Sequence, residues 1–420
     1  MNTIFTKSSA QDNVKSYLIH SLVFFLPCLA LISKFGVGLS SFGFLLLAAF
    51  CWRQVKPALA RHLTKIRAIL IAFGLNFGFA LTGLALHSDI PLSTLEKPSR
   101  MLAAVTVLLA VLACRPRRKV LWSGLIAGAV AGAIFICYQR WGLGVERPGG
   151  LINAITFGDI ILCMGMMCLA AVLDFQGRQA LWPALGALAG LVGSVASGTR
   201  GGWIAVVLAA LLFLKYGHYL RRKAAKLLGL LALAILVSTY FIDQTGARER
   251  LEQGVSDVQT YFKGGNAFTN VGVRLELWKG AILLVAQHPW SIATEQRVHD
   301  ELAQQVQAGR LQAFVLDIEH FHNDILQVLV FGGIPGLLIW LMTVLTPFLF
   351  FLRILRTHES ARPGVIAPAL AGMLLVIGYF SFGLTEVIYW STLSTMFYIQ
   401  MLFLLIGLCL NAQDDARRLS

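Results

Sequence analysis

The chain has 420 residues, 57% of them hydrophobic and only 13% charged, with a formal net charge of +14 at pH 7. Its mean hydropathy of +0.71 is far above that of a soluble domain of this size, which excludes a globular cytosolic protein. The positive charge calls for no nucleic acid, because most cations lie in short polar segments between apolar runs, where anionic headgroups supply the counter-charge.

Apolar runs near the length needed to cross a bilayer fall at 17–33, 37–52, 67–86, 99–114, 120–139 and 155–173. A second six fall at 180–197, 201–214, 226–242, 323–352, 364–383 and 391–410. This pattern predicts an all-α, polytopic integral membrane protein of about twelve transmembrane helices. The polar first fifteen residues lead straight into further spans, so the first helix reads as an uncleaved insertion signal. All seven cysteines lie in or at the ends of apolar runs, which supports neither a disulfide framework nor a thiolate metal site.

Orientation follows from the cations. With the N-terminus inside, the inner segments hold 22 of the 35 Lys and Arg residues, the short outer loops six, and one long outer loop the other seven. The positive-inside rule therefore places both termini in the cytoplasm. The long connection, 243–320, exceeds any passive turn. Leu251, Val255, Val258 and Phe262, then Val273, Leu277, Gly280, Ala281 and Leu284, repeat at helical spacing within it, predicting a helical extracytoplasmic subdomain. The chain thus divides into 1–242 with nine spans, 243–320 outside, and 321–420 with three spans.

Four residues on the outer side carry the chemistry. Arg200 lies in Ser-Gly-Thr-Arg-Gly-Gly-Trp at 197–203, where glycines permit close approach of a ligand; the plain alternative is a snorkelling interfacial cation. Arg147 lies in a looser loop, Glu-Arg-Pro-Gly-Gly-Leu-Ile-Asn at 146–153, and reads equally as an ordinary loop cation. Arg274 shares a helix face with Trp278 and could pair with Glu276 or a headgroup. His322 precedes Asn323 and Asp324 at the start of a span, as a base or as a cap. A metal at His320 and His322 with Asp317, Glu319 and Asp324 is set aside, since residues two apart diverge on a helix and no second ligand group is evident. Asp159, Glu386 and Tyr389 also approach the outer face and receive no role.

Arginine suits a lipid-borne diphosphate, because its planar fork binds phosphate oxygens in pairs and stays charged. A nearby base could deprotonate an attacking sugar hydroxyl, and no Walker-type loop is present. The segment 197–203, Gly272 to Gly280 with Arg274 and Trp278, and His322-Asn323 followed by Leu326, Gly333 and Gly336 resemble the motif series of the bacterial O-antigen ligase and polymerase superfamily. The resemblance spans about 120–340 by motif and the whole chain by topology. It implies a metal-independent, cofactor-free, inverting glycosyltransferase of the bacterial inner membrane with a periplasmic site. The donor would be undecaprenyl-diphosphate-linked O-antigen, the acceptor lipid A core, within lipopolysaccharide biosynthesis. Arg200 and Arg274 would hold the diphosphate, with Arg147 as a secondary candidate because its loop lacks the family's Gly-Asn-Pro, and His322 would be the base or position the acceptor. An O-antigen polymerase or protein O-oligosaccharyltransferase shares these motifs, and the single long loop before the His322 helix, with no second arginine-rich outer loop of similar size, favours the ligase over the polymerase; about twelve helices also suit a transporter or flippase, against which stand the absence of inverted polar repeats and the one-sided motifs.

Overall fold

The computed structural model describes residues 10–199, 201–216, 247–357 and 363–418. The expected ninth span, 226–242, and the site candidate Arg200 lie outside the described residues. Each of the other eleven expected spans coincides with helix. The helices are α1 (Ala10–Cys28), α2 (Gly36–Phe50), α3 (Trp52–Leu86), α4 (Glu96–Ala103), α5 (Val105–Cys114), α6 (Arg118–Cys137), α7 (Ala154–Ala171), α8 (Leu181–Ser197) and α9 (Trp203–Tyr216). They continue with α10 (Ala247–Phe262), α11 (Gly272–Gln287), α12 (Glu295–Gln307), α13 (Asp324–Arg356), α14 (Pro363–Phe382) and α15 (Thr392–Arg418). Among the described residues there is no strand, and eight helical stretches are long and apolar enough to cross a membrane. The all-α polytopic expectation holds.

Helices that are apolar all round become the centre of the bundle. The most apolar stretches of α7, α14 and α15 are 89%, 89% and 94% buried, against 22% for α3. On α3, Val55, Ala58, His62, Ile66, Ile69 and Phe73 form one buried stripe, while Ile71, Leu75 and Leu81 on its far side are exposed, where acyl chains can act as solvent. Gly165 of α7 and Gly190 of α8 let these two helices touch backbone to backbone: a Cβ on Gly190 would stand 2.5 Å from the Gly165 Cα.

The two ends of the bundle differ in chemistry. At one end charges are neutralised in place: Arg118 Nε and Nη2 donate to Asp174 at 3.0 and 3.3 Å, Trp122 Nε1 donates to the same carboxylate at 2.7 Å, and His62, Arg61 and Arg115 surround Asp414. The other end gathers the candidate residues beneath a second apolar cluster. Leu277, Ala281 and Leu284 of α11, Val298 and Leu302 of α12, Val315, Phe321 and Val330 form it.

This cluster is fastened to the bundle through a break in α13. Gly333 has φ 60°, ψ −165° inside the helix, two residues before Pro335, a backbone region open only to glycine. The groups freed by the break bond to the 289–293 segment: Ile334 N–H donates to Pro289 O at 2.8 Å, and Ala293 N–H donates to Phe331 O at 3.1 Å. The first turns of α13 therefore pack with α11 and α12, and the rest with the bundle.

Candidate functional site

His322 lies one residue before the cap of α13. Asn323 Oδ1 accepts from Leu326 N–H at 3.0 Å and closes the first turn, so the chain must bend sharply just ahead of it, and His322 adopts φ 49°, in the left-handed region that residues other than glycine uncommonly occupy. Four contacts hold it there. Trp278 Nε1 of α11 donates to Phe321 O at 3.0 Å, and Phe321 N–H donates to Gln327 Oε1 at 3.0 Å. Asp324 N–H donates to Gly383 O at 2.7 Å, and Asn323 Nδ2 to Leu384 O at 3.0 Å. Strain at this position is thus fixed by both α11 and the 383–391 loop.

That loop supplies the partner that sequence spacing gave no reason to choose. His322 Nδ1 stands 3.0 Å from Glu386 Oε2 and 3.2 Å from Oε1. Val387 N–H donates to Oε1 at 3.2 Å, and His320 Nε2 lies 3.5 Å from it. Burial by itself raises the Glu386 carboxyl, but the hydrogen bond and charge of His322, then the charge of His320, outweigh it and hold Glu386 below its ordinary value. An ionised carboxylate only accepts, so the Nδ1 that faces it carries a hydrogen; in the neutral imidazole this tautomer leaves the lone pair on Nε2. Burial is also the leading cause that pushes His320 below the usual histidine range.

Arg274 projects from the start of α11. Its expected partner Glu276 is buried and already engaged, accepting from Tyr261 Oη at 2.6 Å and Gln312 N–H at 2.9 Å, with Lys279 Nζ at 3.8 Å. Among the described residues Arg274 forms no ion pair, and its buried Nε has no hydrogen-bond partner. Burial depresses the guanidinium first; Glu386 acts to raise it and Arg147 to lower it, so the fields of all three meet here. Arg147 itself is exposed. Its loop is pinned by Gln139, whose Oε1 accepts from Gly150 N–H at 2.9 Å.

The glycine-rich turn after α8 closes the site from the other side. Ser197 Oγ donates to Thr199 Oγ1 at 2.8 Å, and Thr199 Oγ1 donates to Ala154 O at the head of α7 at 3.0 Å. Gly198 takes φ 74°. A Cβ on Gly201 would stand 2.3 Å from Thr385 Oγ1, and one on Gly202 would lie 3.3 Å from Asp159 Oδ1. Both residues flanking this arginine motif thus pack against the shell that includes Glu386. Asp159 is buried with neither carboxylate oxygen hydrogen-bonded among the described residues.

Residues 185–341 match the O-antigen ligase family. This segment belongs to the O-antigen ligase superfamily. Across 301 residues, 70% of this chain and 74% of the relative, the chain is 24% identical to an uncharacterized protein of Haemophilus influenzae. It is also 24% identical to an O-antigen ligase of Escherichia coli K12 over 178 residues, 42% of this chain and 39% of that one.

The segment shared with the O-antigen ligase superfamily contains the 197–203 turn, Arg274, Trp278 and His322. Arg147 and Glu386 lie outside it, and the fold brings them in. His320 and His322 also depart from the helical arrangement on which their divergence was expected: both precede α13, their ring centroids 4.4 Å apart at an interplanar angle of 76°. With Glu386 they present three donor atoms within 4.8 Å of one another.

Proposed function

We propose that the chain is an O-antigen ligase that moves a glycan from undecaprenyl diphosphate to a sugar hydroxyl of lipid A core, at the periplasmic face of the bacterial inner membrane. What supports this reading is the pairing of His322 with Glu386 near a half-buried arginine, Arg274, whose Nε has no hydrogen-bond partner among the described residues. The cation distribution, 22 of 35 in the segments at the opposite face, supports the periplasmic orientation and cytoplasmic termini.

In this mechanism Glu386 fixes the His322 tautomer, and Nε2 accepts the proton of the acceptor hydroxyl. The hydroxyl oxygen attacks the anomeric carbon from the face opposite the leaving group, and the configuration inverts. The bond from that carbon to the diphosphate oxygen breaks, and the diphosphate departs with the electron pair. Arg274 and Arg147, with Arg200 as the third cation, meet the charge developing on it. The step consumes no nucleotide, because the bond to the diphosphate carries the driving force. Membrane lipids surround the bundle, and no metal or organic cofactor takes part.

The test is transfer by purified protein in detergent, without nucleotide, from the undecaprenyl-diphosphate glycan to lipid A core. A product ladder on lipid A core that vanishes in His322→Ala is the expected result. Elongation of carrier-linked glycan would reassign the chain as a polymerase, and no product with either acceptor would overturn the transferase reading.

A further inference from the structure

His320, His322 and Glu386 form more than a catalytic pair. Their donor atoms converge within 4.8 Å, and through Glu386 Oε1 two of the three separations are already 3.2 and 3.5 Å. Ligands bonded to a zinc ion at roughly 2.0–2.1 Å in tetrahedral geometry stand about 3.4 Å apart, so only the edge between the two imidazoles has to close. Two imidazoles and one carboxylate are a borderline-soft donor set that selects zinc and its neighbours over calcium or magnesium. His322 is fixed by its backbone and by Trp278, and His320 is braced by the Trp390 ring at 5.5 Å. Trp390 is in turn held by Lys97, which donates to its carbonyl and lies over its ring at 5.1 Å.

We infer that His320 Nε2, His322 Nδ1 and Glu386 form an inhibitory site for zinc or a similar divalent transition ion at the mouth of the reaction centre. The consequence for transfer, which rests on the function proposed above, follows from which histidine nitrogen the metal takes. In the metal-free pair Nδ1 carries the hydrogen and Nε2 the lone pair. A metal on Nδ1 displaces that hydrogen, and the neutral imidazole then carries its hydrogen on Nε2. The nitrogen facing the acceptor becomes a donor, with no lone pair to accept the hydroxyl proton. Glu386 is drawn off the imidazole at the same time. His320 reaches the proposed transfer step only through its contact with Glu386 and takes no proton from the acceptor, so the two roles can be separated at this residue.

The experiment uses tag-free, chelator-treated full-length protein in nanodiscs, titrated with zinc chloride by calorimetry, with cobalt(II) absorption as the reporter of coordination. Wild type should bind one zinc per chain and give the intense visible bands of a low-coordinate cobalt site. His320→Gln should weaken zinc binding at least tenfold and lose those bands. In the transfer assay, zinc should suppress wild type over its binding range and a chelator should restore it, while His320→Gln still transfers and resists zinc. Absence of stoichiometric zinc in wild type, or unchanged affinity in His320→Gln, would overturn the site. Zinc binding without suppression of transfer would overturn its inhibitory role. Zinc binding by a protein that transfers nothing would leave the site standing and count against the transferase.

Discussion

Trp278 Nε1 donates to the carbonyl of Phe321 at 3.0 Å, so the helix that carries Arg274 is latched to the residue immediately before His322. This hydrogen bond therefore helps to fix the spacing between the proposed diphosphate-binding cation and the proposed base. Trp278→Phe keeps most of the ring's packing but leaves the Phe321 carbonyl unpaired, a loss of about 1 kcal/mol or more. Turnover should fall about tenfold with donor KM little changed, measured by steady-state transfer. Unchanged turnover would mean that the loop bonds to Gly383 and Leu384 suffice to hold His322.

Glu386→Gln removes the charge while conserving shape. If Glu386 holds the tautomer and supports the imidazolium, turnover should fall roughly 10²- to 10⁴-fold, while lipid-carrier binding is retained. The same residue gives a stability signature. Its folded pKa lies below its unfolded value of about 4.3, so its contribution is fully present above that pH and is lost as pH falls through the lower folded value. Unfolding curves of wild type and Glu386→Gln should differ at neutral pH and converge in acid below that window. A constant difference across the range would remove the ionised Glu386 from the account.

Arg274 is predicted to act by fork geometry as well as charge. Arg274→Ala should abolish detectable transfer, and Arg274→Lys should recover activity only to a level about tenfold or more below wild type. Arg147→Ala, at an exposed position, should cost less than Arg274→Ala. Kinetics against donor concentration check the order, and full rescue by lysine would reduce Arg274 to a point charge.

Gly333→Ala should destabilise the protein by about 1–3 kcal/mol, since the φ of 60° admits no side chain comfortably and a Cβ would stand 2.8 Å from Pro289 O. Thermal unfolding in detergent reads this directly. An unchanged transition would show that α13 can straighten without loss.

The helices were legible because an apolar run of bilayer length has few other ways to satisfy its backbone. The stretches at 247–262 and 272–287 were legible from their 3.6-residue period alone. Two things escaped. The start of α3 at Trp52 was hidden because Arg53, Lys56, Arg61 and Lys65 mask a helix that continues out of the apolar run. Glu386 escaped because it meets His322 from 64 residues away, across a loop whose course is set by tertiary bonds to Asn323 and Asp324. The available signal was the carboxylate in the short polar gap between the last two spans, on the same face as His322. Arg274's freedom from Glu276 was equally unreadable, since it depends on Tyr261 and Gln312 occupying that carboxylate first.

The break at Gly333 divides the site between two bodies. His322, Trp278 and Arg274 travel with the apolar cluster above the break, whereas Glu386 belongs to the loop joining α14 to α15, the most enclosed helices of the bundle. The imidazole and its carboxylate thus face each other across a seam, joined by their own contact and by the bonds of Asn323 to Leu384 and Asp324 to Gly383. An opening of one ångström across that seam would lengthen the 3.0 Å contact beyond hydrogen-bond reach, so substitutions in the upper cluster that shift it are expected to lower the proposed turnover before they lower stability.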